Sequence, residues 1–134
     1  MSADRKSLTA PDGTTISYLT EGSGPPLLLL HGFVSSAKSW WKIGAAQHLA
    51  ETHTIIAPDI RGHGQSGKPT GAACYGRRLI EDFTLLLDHA GHDSAQVAGF
   101  SMGAELGLAL AAFHPARVRS LTLAGSGWSP PEIV

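Results

Sequence analysis

Two short runs of alternating apolar and polar residues open the chain, KSLTA at 6–10 and TTISYLT at 14–20. Pro11-Asp12-Gly13 separates them, and an Asp-Gly pair between alternating runs predicts a hairpin, because glycine takes the positive φ the turn needs. After the breaker cluster GSGPP at 22–26 the pattern changes to LLLL at 27–30, a continuous apolar run short enough for a strand buried on both faces. HGFVSS follows as a loop. Helical spacing then takes over at Trp40, Ile43, Ala46 and Leu49, with Ser36 or Ser39 as the expected cap.

The alternation repeats. HTIIAPDI at 53–60 predicts a second buried strand, and RGHGQSGKPTG after it a glycine-rich loop without helical character. Leu79, Ile80, Phe83, Leu86 and Leu87 recur at helical spacing. AQVAGF at 95–100 predicts a strand, MGAELGLALAAFH a helix stopped by Pro115, and VRSLTLAG at 118–125 a final strand. Strands alternating with helices predict an α/β fold with a doubly wound, mostly parallel sheet behind an N-terminal hairpin. No internal repeat, low-complexity segment or linker divides the chain, so residues 1–134 are expected to form a single domain.

Composition narrows the chemistry. Ten Lys and Arg against eleven Asp and Glu leave a net charge of −1, and no basic stripe points to nucleic acid. Apolar residues make up 43%, enough to fold, yet no apolar stretch is long enough to span a bilayer. The start, MSADRKSLTAPDG, has no apolar export segment, and Cys74, the single cysteine, suits a reducing compartment. A cytoplasmic protein without a membrane partner is the expectation. The seven histidines form no His-x₃-His pair or Cys/His cluster, and the glycine-rich loops lack phosphate- and dinucleotide-binding spacing, so neither metal nor cofactor is implied.

Gly99-Phe100-Ser101-Met102-Gly103 stands between a predicted strand and a predicted helix. That is the context of a nucleophile elbow, where a sharp turn raises a serine hydroxyl above the sheet and small flanking residues make room. Gly99 and Gly103 supply that room. Ser101 would sit at a helix N-terminus, where free N–H groups favour developing negative charge.

On three motifs the chain resembles the α/β-hydrolase family, in its serine-nucleophile, esterase- and haloperoxidase-like branch. His31-Gly32-Phe33 after LLLL looks like that family's oxyanion loop, Asp59-Ile60-Arg61-Gly62-His63-Gly64-Gln65-Ser66 like its loop after the next strand, and residues 99–103 like its elbow. The resemblance implies Ser101 as nucleophile and the backbone N–H groups of Phe33 and Met102 as the oxyanion hole. It makes His31 and Gly32 loop-supporting rather than reactive, and Asp59 and Arg61 the residues that order the glycine-rich loop. His63, between two glycines, reads as a solvated loop residue. Phe100 and Trp128 are expected on an apolar substrate wall, and Trp40 and Trp41 in the core or cavity wall.

The family's acid and histidine follow the serine, but only 33 residues follow Ser101. Among them His114 lies at the far end of the predicted helix, and Glu132 is the candidate acid. The expectation is therefore the N-terminal part of the fold, ending after about the sixth strand and lacking the strands that carry the late acid and histidine. The implied chemistry is acyl transfer at Ser101 on an ester or similarly activated carbonyl of a small, mostly apolar substrate. Serine argues against the dehalogenase and epoxide-hydrolase branches, which the family builds on aspartate. A non-catalytic domain that binds a partner, or needs a complementing half, is the rival. The last strand's open edge is the place where a second copy or that half would pair.

Overall fold

The computed structural model describes residues 3–125. Six strands form one sheet: β1 (Asp4–Thr9), β2 (Thr15–Glu21), β3 (Pro26–Leu30), β4 (Thr54–Pro58), β5 (Ala95–Phe100) and β6 (Val118–Ala124), in the order β1-β2-β4-β3-β5-β6. β1 and β2 pair antiparallel, as do β2 and β4, while β4-β3-β5-β6 is parallel throughout. The predicted α/β class and mostly parallel sheet are what the chain adopts. The hairpin turns as its glycine requires: Gly13 has φ 88°, its N–H donates to the Ala10 carbonyl at 2.9 Å, and the Thr14 N–H donates to the Asp12 carboxylate at 3.2 Å.

The four leucines of β3 explain the layers. Successive side chains of a strand point to opposite faces. Leu28 and Leu30 enter one core with Ile56, Phe83, Leu87 and Val97, covered by α3 (Arg77–Ala90) and α4 (Met102–Phe113). Leu27 and Leu29 enter the other with Ile55, Ala57, Trp41 and Ala46, under α1 (Lys38–Lys42) and α2 (Ala45–Leu49). A strand covered on both faces has no need of polar alternation.

The expected single helix through Trp40 and Leu49 is instead two five-residue helices. Gly44 breaks it at φ 80°, and Ile43 is consequently 72% exposed rather than part of an apolar stripe. Neither Ser36 nor Ser39 caps it. The N-cap is Ala37, whose N–H donates to Asp59 Oδ1 at 2.8 Å, while Ser39 Oγ turns back to the Ser36 carbonyl at 2.8 Å. One short 3₁₀ turn (Ala72–Cys74) precedes α3, and another (Pro115–Arg117) ends α4 where Pro115 was expected to stop it. Among the described residues no helix is long and apolar enough to cross a membrane.

Candidate active site

Ser101 joins β5 to α4 with φ 55° and ψ −115°, a backbone conformation that L residues rarely adopt. Its surroundings over-determine that strain. Its N–H donates to the Ala124 carbonyl at 2.8 Å, and its carbonyl accepts from Ala104 at 2.9 Å and Glu105 at 3.2 Å. The turn also demands both flanking glycines. A Cβ on Gly99 would collide with the Gly103 carbonyl, and one on Gly103 with the Leu30 and His31 carbonyls. Gly32 serves the facing loop: a Cβ there would already press on the Phe100 ring at 3.3 Å, with the Ser101 side chain at 3.5 Å.

The Ser101 hydroxyl makes no hydrogen bond among the described residues. It lines a cleft of about 530 Å³ with Phe33, Trp40, Ile43, Phe100 and Ala124, a chiefly apolar wall. Met102, the next residue, lines a second cleft of about 570 Å³ with His63, Lys68, Tyr75 and Leu79. Phe33 borders both. The N–H groups of Phe33 and Met102 have no acceptor among the described residues, and Met102 opens α4, where an N–H lacks an intrahelical partner.

His31 is 1% exposed and spends both nitrogens on the backbone. The Ile60 N–H donates to Nε2 at 3.0 Å, which leaves the proton on Nδ1 to donate to the Gly32 carbonyl at 2.7 Å. That pairing needs the neutral ring, and burial, the largest influence, pushes the pKa of His31 down. A histidine so engaged staples the loop after β3 to the loop after β4. It has no free nitrogen for Ser101.

Asp59, 1% exposed, accepts from the Ala37 and Gln65 N–H groups at 2.8 and 2.9 Å and from Arg5 at 3.0 Å. Arg61 is equally buried. Its guanidinium forks onto Asp82 at 2.8 and 2.9 Å and reaches Asp12 at 2.5 Å. Desolvation opposes that charge, but the hydrogen bonds to Asp82 and Asp12 hold the pKa of Arg61 above its ordinary value. These groups tie the glycine-rich loop to the hairpin turn and to α3, and none reaches the cleft of Ser101.

The other candidates separate. Trp41 donates to Glu21 at 2.8 Å and is core, whereas Trp40 is cleft wall. His114 pairs with Glu81 of α3 at 2.9 Å, at the opposite end of α4 from Ser101. Trp128 and Glu132 lie outside the described residues. His63 is a loop residue, half-buried rather than fully solvated. Its ring stands edge-on to His31 at 5.1 Å between centroids and to Phe33 at 5.7 Å. Its flanking glycines are the one local signal that the chain folds tightly there.

Residues 25–133 match a family model described as alpha/beta hydrolase fold. The chain is 35% identical over 113 residues to a fluoroacetate dehalogenase from Burkholderia sp, covering 81% of this chain and 36% of that protein. It is 38% identical over 108 residues to a 2-hydroxymuconate semialdehyde hydrolase from Pseudomonas sp. (strain CF600), covering 78% and 38%. Among solved structures, an epoxide hydrolase from an endophytic Streptomyces superposes with a TM-score of 0.88 at 28% identity, over 96% of this chain and 38% of that one. The chain thus spans well under half the length of these relatives.

Proposed function

Because the chain belongs to the alpha/beta hydrolase fold family, whose similar members above carry dehalogenase and hydrolase names, we propose that Ser101 is the nucleophile of a serine hydrolase acting on an ester or similarly activated carbonyl of a small, mostly apolar substrate. One observation carries this reading. A serine is held at a strained φ of 55° where strand meets helix, with its hydroxyl unpaired in a cleft. Strain of this kind costs about 1–3 kcal/mol and persists where the surroundings impose it, commonly at functional sites.

In the proposed step Ser101 Oγ attacks the carbonyl carbon, and the carbonyl oxygen takes the negative charge. The Phe33 and Met102 N–H groups, unpaired among the described residues, receive that oxyanion, helped by the positive end of α4. One such donor is worth about 10²–10³ in rate. The acceptor for the serine proton is not among the described residues, since His31 has no free nitrogen and His114 is remote. Serine rather than aspartate at the elbow supports acyl transfer over displacement at an epoxide or a carbon–halogen bond.

The test is labelling of the full chain with an alkyl fluorophosphonate, read by intact mass and peptide mapping. Ser101 Oγ should displace fluoride at phosphorus, its proton passing to water, and Ser101→Ala should abolish the adduct. Labelling that persists in the alanine variant overturns the assignment. A folded chain that never labels favours the non-catalytic, partner-binding reading.

A further inference from the structure

Phe33 is poorly explained by its own surroundings. It is 72% exposed, so burial does not hold it. The next residue, Val34, has φ 60°, which is strained for a β-branched side chain, so local backbone preference does not hold it either. Within the loop, the Ser35 N–H donates to the Gly32 carbonyl at 3.2 Å, and the bond from His31 Nδ1 to that same carbonyl stops one residue short of Phe33.

The aromatic ring packed on Phe33 is that of His63, with planes 77° apart, and the same ring meets His31 at 63°. His63 is itself well anchored. Its N–H donates to the Ile60 carbonyl at 2.8 Å, and its carbonyl accepts from Ser66 at 3.1 Å. Its Nδ1 faces the Arg61 carbonyl at 3.3 Å. Gly64, at φ 53°, lies so close on the buried Asp59 carboxylate that any side chain would collide. The loop after β4 is therefore a rigid seat, whereas the tip of the loop after β3 is strained and exposed.

From this asymmetry we infer that His63 is a positioning residue: its ring transmits the rigidity of the Asp59-seated loop to Phe33 and so fixes the Phe33 N–H beside Ser101. The inference rests on the proposed role of that N–H as an oxyanion donor. His63 itself touches no reacting atom in this scheme. What it contributes is two aromatic edges, not a proton, so phenylalanine can replace it and alanine cannot. A donor displaced by about an ångström can cost on the order of a hundredfold in rate, so a partial loss is readable.

Two measurements on the full chain test this. The first is the ¹⁵N order parameter of the Phe33 N–H, which does not depend on Ser101 chemistry. It should be about 0.85 in the parent and in His63→Phe, and below about 0.6 in His63→Ala, with Leu28 and Val97 unchanged. The second is the fluorophosphonate labelling rate, expected to fall about tenfold in His63→Ala and to return in His63→Phe. Should His63→Ala fail to fold, His63→Gln, which keeps polar atoms but loses the ring, carries the same expectations. An unchanged Phe33 order parameter without the ring, or a loss in His63→Phe equal to that in His63→Ala, overturns the inference. If the parent never labels, the nucleophile reading falls, and the order parameter still decides whether His63 orders Phe33.

Discussion

At Ser101, stability and chemistry pull in opposite directions. The residue holds φ 55° because three backbone hydrogen bonds fix it, while Gly99 and Gly103 allow the close backbone approach around it. Glycine adopts that conformation without steric cost, although it loses more entropy on folding. Ser101→Gly should therefore raise stability by about 1 kcal/mol, since relief of about 1–3 kcal/mol of strain exceeds the added entropy cost. Denaturant midpoints of the two proteins check this, and a lower midpoint for glycine contradicts it. The elbow was legible in sequence because its demands are local: two small residues around one serine, after a strand and before a helix. His63 was not, because its partners stand 30 and 32 residues upstream, and only folding brings the three rings together.

Among elements, the strands were readable because full burial leaves a continuous apolar run, as in β3. The split between α1 and α2 was not, because a glycine inside a helical pattern is silent until its φ is known. The ion cluster on Arg61 was equally hidden: its carboxylates come from the hairpin turn and from α3, 49 and 21 residues away. This cluster makes acid sensitivity predictable. The hydrogen bond from Arg61 outweighs desolvation and holds the Asp12 carboxyl below its usual range. A carboxyl depressed on folding adds stability above its unfolded pKa, and that contribution is lost as pH falls through the folded one. Burial pushes Asp82 up despite the pull of Arg61, so its own contribution has the opposite sign. Asp12→Asn should accordingly be less stable at pH 7, with a shallower decline from about pH 4 downward. Urea midpoints at pH 7 and pH 3 test it, and parallel declines would assign acid sensitivity elsewhere.

For the whole molecule, the sheet is unevenly finished. Both terminal strands pair on one side only among the described residues, β1 with β2 and β6 with β5; β1 bears Asp4, Arg5 and Lys6, whereas β6 carries leucines and is partly exposed along its length. An unpaired strand edge is a template for another strand. Concentration-dependent association is expected in sedimentation, and Leu123→Pro should reduce it: the Ala124 carbonyl faces β5, so the N–H of its neighbour Leu123 faces the open edge. A monomer at all concentrations would mean the edge is covered. The two clefts carry a different consequence. They meet at Phe33, one holding Ser101 and walled by Phe100 and Trp40, the other lined by Met102, Lys68 and Tyr75. Mirror-image reagents cannot place the same substituents in the same clefts. Ser101 should therefore tell one hand of a phosphorus-chiral reagent from the other.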